Sequence, residues 1–431
     1  MVANSSSPAE SDKALTGPRS DESARTGYGA VFAVKEFRAV FVAHVLSVLG
    51  GVLAEVSLAV LVFRQTHSAL LTGLVFALGF LPYALSGITL SGIADRYPPR
   101  RVLVACDLLS AGCVALMAVP ATPFAALFLL RLAVAMISPL FTGTRAASLA
   151  DILQGDRYVL GRSLIRIVSQ SSQVIGYGLG GLALAWVSPR TALRVTILTF
   201  LASALLLRLG TRDRPARTTG SGAMARDSIA SVGRLLGDAR IRALLLMWWV
   251  PPMFFVVAEG VAAPFADASG AGSTGFGLFL AAMPAGTVVS EALVGTLLSP
   301  AARERLTLPL AAVSLLPLAA FAVHPPLPLA IGLMLLTGLS AAYTLGMDRW
   351  FVHAVPEEMR GRAMSLLGAG IMTLQGLGMA VGGAVAAVVP PYLVICAAGL
   401  LGTVSVLGVL RSVRRHQAPP RSEHRSPPRG A

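Results

Sequence analysis

Glu55, Arg131, Arg166, Glu259 and Glu291 each interrupt a long apolar run. A charged side chain in hydrocarbon costs roughly a few kcal/mol or more, so such a residue marks either a function or a buried pair. A carboxyl group can bind and release a proton, while arginine stays charged and favours anionic groups. The chemistry on offer is therefore ion pairing and proton exchange rather than bond making. His44, His324 and His353 are isolated, and Cys106, Cys113 and Cys396 lack ligand spacing, so no metal is expected. The cysteines read as buried free thiols. No Gly-Lys-Ser/Thr phosphate loop is present, which argues against ATP hydrolysis by this chain. Neither an enzyme nor a cofactor is expected.

The elements that must position these residues are long apolar helices. Of 431 residues, 55% are hydrophobic and 13% charged, against roughly 25% charged in a soluble domain. Apolar runs of about 20 residues match a hydrocarbon core of about 30 Å, so the expected solvent is a lipid bilayer. Spans are expected at 39–63, 70–93, 101–120, 124–149, 160–187, 191–209, 241–264, 273–298, 306–323, 327–350, 362–388 and 391–411. Pro82, Pro284 and the pair Pro251 and Pro252 should bend their spans by removing backbone donors. The expected organisation is a disordered cytoplasmic tail over 1–34, a six-helix bundle over 35–209, a cytoplasmic linker over 210–240, a second six-helix bundle over 241–411 and a basic cytoplasmic tail over 412–431.

The net charge of +14 follows the loops. Of 35 basic residues, 33 are arginine, and most fall between spans on one side or in the tails, which fits membrane topology rather than a nucleic-acid surface. Arg96, Arg100, Arg101, Arg157, Arg162, Arg303, Arg305, Arg360 and Arg362 all lie on the side of the N-terminus, so both termini are expected in the cytoplasm. Glu55 and Arg131 then lie at equal depth, roughly 12 Å below the outer surface at 1.5 Å per residue. Arg166 and Glu291 lie roughly 9–11 Å from the inner surface.

The halves repeat one another. Arg38 and Glu55 are matched by Arg242 and Glu259 at an offset of 204, and Gly73 and Pro82 by Gly275 and Pro284 at 202. Gln173, Gly180 and Gly181 are matched by Gln375, Gly382 and Gly383, also at 202. Parallel six-helix repeats are a transporter architecture with the substrate site between the halves.

Over nearly all of its helical length the chain resembles the major facilitator superfamily. The segment Ser91 to Arg101 is similar to that family's loop signature, with Asp95, Arg96, Arg100 and Arg101 at the charged positions. Ser91 and Pro98 stand where the signature has glycines. Gly176, Gly178, Gly180 and Gly181 resemble the antiporter motif, with Tyr177 in place of its proline. Val355 to Ser365 resembles a loop of the exporter branch related to macrolide and siderophore efflux proteins.

The resemblance implies an all-α membrane protein of twelve transmembrane helices in two pseudo-symmetric six-helix bundles, with spans one, four, seven and ten around a central cavity. Glu55 and Arg131 should then face each other there, as a substrate or coupling site or as a static ion pair. Glu259 has no basic residue at the matching place on span ten; it exchanges protons or reaches outer water near Pro264 and Asp267. Arg166 and Glu291 should meet across the bundle boundary, as a gate or as structural glue. Asp95, Arg96, Arg100 and Arg101 should latch the cytoplasmic side or simply set topology. Gly176, Gly178, Gly180, Gly181, Gly382 and Gly383 permit close helix contact.

The leading functional expectation is a proton-coupled antiporter that exports a small amphipathic molecule, such as a drug or secondary metabolite, from the plasma membrane. Its partners would be the substrate, protons and lipid, without nucleic acid, and it would act as a monomer. An importer of the same fold and a non-transporting membrane receptor or scaffold are the alternatives.

Overall fold

A computed structural model describes residues 28–80, 96–154, 156–216, 233–356 and 359–417. It is all helical among these residues, and we number the long helices α1 to α12. The first half holds α1 (Lys35–Thr66), α2 (Ala69–Phe80), α3 (Pro99–Met117), α4 (Phe124–Ile152), α5 (Asp156–Trp186) and α6 (Pro189–Gly210). The second holds α7 (Ala239–Gly260), α8 (Gly272–Leu297), α9 (Pro300–Val313), α10 (Leu327–Leu339), α11 (Arg360–Val385) and α12 (Pro391–Gln417). Among the described residues, nine helical stretches are long and apolar enough to cross a membrane.

Helix starts follow local chemistry. Ser188 accepts from the Thr191 backbone N–H ahead of Pro189, and Ser299 accepts from Ala302 ahead of Pro300. Asp238 accepts from the backbone N–H groups of Arg240 and Ile241 at the start of α7. Leu129, Leu179, Leu198, Leu401 and Val404 are all at least 60% exposed in mid-helix, a surface suited to acyl chains rather than water.

The sequence expectations need revision in several places. Tyr28–Phe32, expected within a disordered tail, forms a helical turn, because Val31 and Phe32 pack with Phe37, Phe41 and Leu149. The twelfth span continues as helix to Gln417, past the expected boundary at 411. The ninth span breaks after Val313, where Pro317 cannot donate to the previous turn, and resumes as Leu316–Ala319. A 3₁₀ turn over Ser340–Ala342 divides the tenth span, which then continues as Tyr343–Ala354. The seventh span ends at Gly260 and is followed by a separate short helix, Ala262–Ala268. In contrast, α7 and α8 run through Pro251, Pro252 and Pro284 without a break, whereas Pro82 lies outside the described residues. Cys106 and Cys396 are buried free thiols, but Cys113 is only half-buried.

The halves meet mainly along two helix pairs, α5 with α8 and α2 with α11. The repeat relates α2 to α8 and α5 to α11, so the two pairs are equivalent under the pseudo-symmetry. Both crossings are closest at the same ends of the bundle. A Cβ on Gly277 would lie 2.5 Å from the Tyr177 carbonyl oxygen and 2.6 Å from Gly181 Cα. A Cβ on Gly383 would lie 3.1 Å from the Ala69 carbonyl oxygen and 3.2 Å from Gly73 Cα. Only glycine lets the backbones touch here.

Candidate functional site

Helices α1 and α4 frame a cavity of about 360 Å³, lined entirely by the first half. Its walls mix apolar groups such as Val52, Leu58, Met117 and Phe141 with Glu55, Arg131, Asp107, Arg145, His44 and Gln173.

Near the sealed end, α1, α2 and α4 come together around one ion pair. Arg131 Nη2 donates to Glu55 Oε1 at 2.5 Å, with side chains 14% and 13% exposed. Arg131 Nε also donates to the Val75 carbonyl oxygen of α2 at 3.2 Å. Room for the pair comes from Gly79, because a Cβ there would lie 3.1 Å from Glu55 Oε1 and collide with the guanidinium. The sequence expectation that equal depth brings Glu55 and Arg131 together agrees with this geometry.

Glu259 is 7% exposed at the end of α7 and does not line the cavity. Its carboxylate nevertheless interacts electrostatically with Glu55, and both act on the phenol of Tyr177, itself 3% exposed. The expected route from Glu259 to outer water is closed here, since Val261, Ala262 and Ala263 are buried around it while Asp267 is exposed.

A second polar group lies deeper, three helical turns from Glu55 on the same face of α1. An Arg145 guanidinium nitrogen donates to His44 Nδ1, so His44 carries its proton on Nε2, which donates to Ser169 Oγ at 3.0 Å. Ser169 in turn donates to the Ile165 carbonyl oxygen at 3.0 Å. Asp107 accepts from Ser47 Oγ at 3.1 Å, and its other oxygen lies 2.5 Å from Ser203 Oγ. The sequence reading passed over Asp107 and Arg145, although both interrupt apolar runs and the same rule that flagged Glu55 would have flagged them.

The remaining expected sites divide. Gly176 would place a Cβ 2.6 Å from a Val52 methyl, and Gly382 would place one 2.9 Å from a Val257 methyl, so both allow close packing on α1 and α7 respectively. Gly178 and Gly180 have only ordinary contacts, to Ala281 and to Leu53 and Val56. Arg100 donates to the Thr211 carbonyl oxygen at the end of α6 at 3.4 Å, while Arg96 and Arg101 are exposed. Asp95 and the side chain of Arg166 lie outside the described residues; Glu291 is half-buried on α8. Among the described residues, no group of three or more His, Cys, Asp or Glu side chains is arranged to hold a metal ion.

Near the linker, Arg214 grips Glu36 with both terminal nitrogens, one of them at 2.9 Å, and the Arg212 backbone N–H donates to the same carboxylate at 3.0 Å. The hydrogen bonds to Glu36 push the Arg214 guanidinium above its ordinary value.

Comparison with known proteins follows the same lines. The sequence model described as Major Facilitator Superfamily matches residues 40–323. No curated protein sequence is significantly similar to the chain. Among solved structures, a POT family transporter in complex with a thioalcohol-conjugated peptide superposes with a TM-score of 0.68 at 12% identity, covering 88% of this chain and 96% of that one. A bacterial homologue of the iron transporter ferroportin, in an inward-facing state, gives 0.64 at 16% identity, covering 87% and 98%. The nucleoside transporter NupG, crystallised as a point mutant, gives 0.66 at 14% identity, covering 88% and 99%. At these identities the likeness concerns the fold.

Proposed function

The chain belongs to the major facilitator superfamily, and on that footing we propose that it is a proton-coupled exporter of a small amphipathic molecule. It is a non-enzymatic, multi-pass membrane transporter. The observation that carries the finer reading is the cavity itself: about 360 Å³ of mixed apolar and ionisable wall inside a lipid-solvated bundle, with Glu259 buried nearby. That volume falls within the range of small-molecule sites, roughly 300–1,000 Å³. Apolar walls accept a hydrocarbon or aromatic body, and Glu55, Arg131 and Gln173 offer hydrogen bonds to its polar end.

In this reading Glu259 takes up and releases the coupling proton. Its charge acts on Glu55 directly, so a proton on Glu259 changes how firmly Glu55 holds Arg131 and how available that pair is to substrate. The contacts Gly181 with Gly277 and Gly73 with Gly383 form the outer seal, which must part when the halves rock. Asp95, Arg96, Arg100 and Arg101 form the opposing inner latch, and Arg166 with Glu291 a gate between α5 and α8. The export direction is supported by the resemblance of Val355 to Ser365 to the exporter branch. The neighbouring folds, transporters of peptides, iron and nucleosides, share no single cargo, so the substrate class rests on the cavity. We place the protein in the plasma membrane with both termini cytoplasmic, in keeping with its arginine distribution.

Proteoliposomes of known orientation provide the test. A panel of fluorescent amphipathic compounds should leave the cytoplasmic compartment against their gradient when the opposite side is acidified, and stop when the pH difference is collapsed. Accumulation in the cytoplasmic direction instead would make the protein an importer, and transport of nothing with the gradient in place would refute the exporter reading.

A further inference from the structure

Asp107 has no part in the proton path through Glu259, yet it is 2% exposed, lines the cavity and meets three neighbouring helices. From α1 it meets the Ser47 hydroxyl; from α6 it meets Ser203; and α4 brings Arg145 within electrostatic reach. The other titratable groups around it are His44, bonded to that same Arg145, and the adjacent thiol of Cys106. Among the described residues no basic side chain forms an ion pair with Asp107.

A single proton on Asp107 satisfies every contact around it. Ser203 Oγ lies 2.5 Å from Asp107 Oδ2 and 3.0 Å from the Ala43 carbonyl oxygen, and both are hydrogen-bonding distances. The serine hydroxyl has one hydrogen and cannot serve both acceptors. A proton on Asp107 Oδ2 supplies the second: the carboxyl donates to Ser203, Ser203 donates to Ala43, and Oδ1 accepts from Ser47. Every contact then holds a hydrogen, and no bare carboxylate is left without a basic partner.

We propose that Asp107 is a second proton-carrying group of this transporter, loaded in the arrangement seen here and discharged when the cavity opens around Arg145. The proposal rests on the proton-coupled reading and extends it to the first half. In discharge the O–H bond of the carboxyl breaks, the proton passes to cavity water, and the carboxylate left behind faces the Arg145 guanidinium on α4. Reloading reverses the step from the other side of the membrane.

The test uses the full chain in proteoliposomes and two readouts. Asp107→Asn imitates the protonated carboxyl, since the amide can donate to Ser203 and accept from Ser47, so thermal unfolding in detergent should be unchanged. Gradient-driven transport should fall about a hundredfold, the low end for losing a positioned proton-transfer group. Infrared difference spectra between acid and alkaline samples should show a protonated carboxyl band that vanishes in Asp107→Asn and shifts in Ser203→Ala. Gradient-driven transport by Asp107→Asn at the wild-type rate, or the absence of a band that depends on Asp107, would overturn the proposal alone. Wild-type protein that ignores the pH gradient would overturn the proton-coupled reading and this extension together.

Discussion

The first half lines its interior with hydrogen-bonded ionisable groups, His44, Asp107, Arg145 and the Glu55–Arg131 pair. The second half, built on the same repeat, buries the carboxylate Glu259 among apolar neighbours. Ser314 there donates to Ala311 at 2.8 Å, and Ser340 donates to Thr337 at 2.6 Å where the tenth span changes to a 3₁₀ turn. The first half keeps α1, α4, α5 and α6 unbroken, while the ninth and tenth spans of the second half are interrupted. Equal topology thus supports unequal chemistry. We read the first half as the holder of the ligand and of the Asp107 proton, and the second as the half whose buried Glu259 couples a further proton to the Glu55–Arg131 pair.

That contrast can be broken most directly at Glu259. Glu259→Gln should lower gradient-driven transport about a hundredfold in proteoliposomes while leaving ligand binding intact, as expected for loss of a proton-transfer group; intact proton-driven efflux would remove Glu259 from the mechanism. Next in size, Arg131→Ala should cost about 3–5 kcal/mol in stability, because it strands the Glu55 carboxylate away from water. Adding Glu55→Ala should recover much of that loss in thermal unfolding measured in detergent, which would establish the pair as a unit. Gly277→Ala should destabilise the sealed crossing by about 1–3 kcal/mol, since the new methyl meets backbone that cannot yield. Spin labels on the neighbouring ends of α5 and α8 should then report a longer separation, whereas an unchanged distance would argue against the outer seal. Smallest of all, Ser340→Ala should cost about 1 kcal/mol, the net worth of an ordinary hydrogen bond, with transport unaffected. A large transport defect there would mean that the second half's helix break takes part in the cycle.

Much of the architecture was legible because hydrocarbon imposes a length on each span, and runs of about 20 apolar residues have few other uses. The pairing of Glu55 with Arg131 was legible from their equal depth together with the family resemblance that sets spans one and four around one cavity. Asp107 and Arg145 interrupt apolar runs in the same way, but no local pattern says that they meet Ser47, Ser203 and His44 on other helices. His44 looked isolated in sequence because its partners, Arg145 and Ser169, lie on two other helices. Pro317 breaks the ninth span, yet Pro251, Pro252 and Pro284 sit inside continuous helices, so proline marks a vulnerable point and the packing decides the outcome. The 3₁₀ turn at Ser340 has no proline at all. It lies beside the Gly286 and Gly338 crossing, where α8 and α10 approach backbone to backbone, a tertiary effect that no local pattern announces.

The grip of Arg214 on Glu36 fixes where the leash between the bundles begins. Residues up to Arg214 travel with α1, so a polypeptide severed just beyond that arginine would retain its anchor on the amino-terminal fragment. Two genes split at that point and expressed together should reassemble into a working pair, whereas a cut between Gly210 and Arg212 would hand the clasp to the wrong partner.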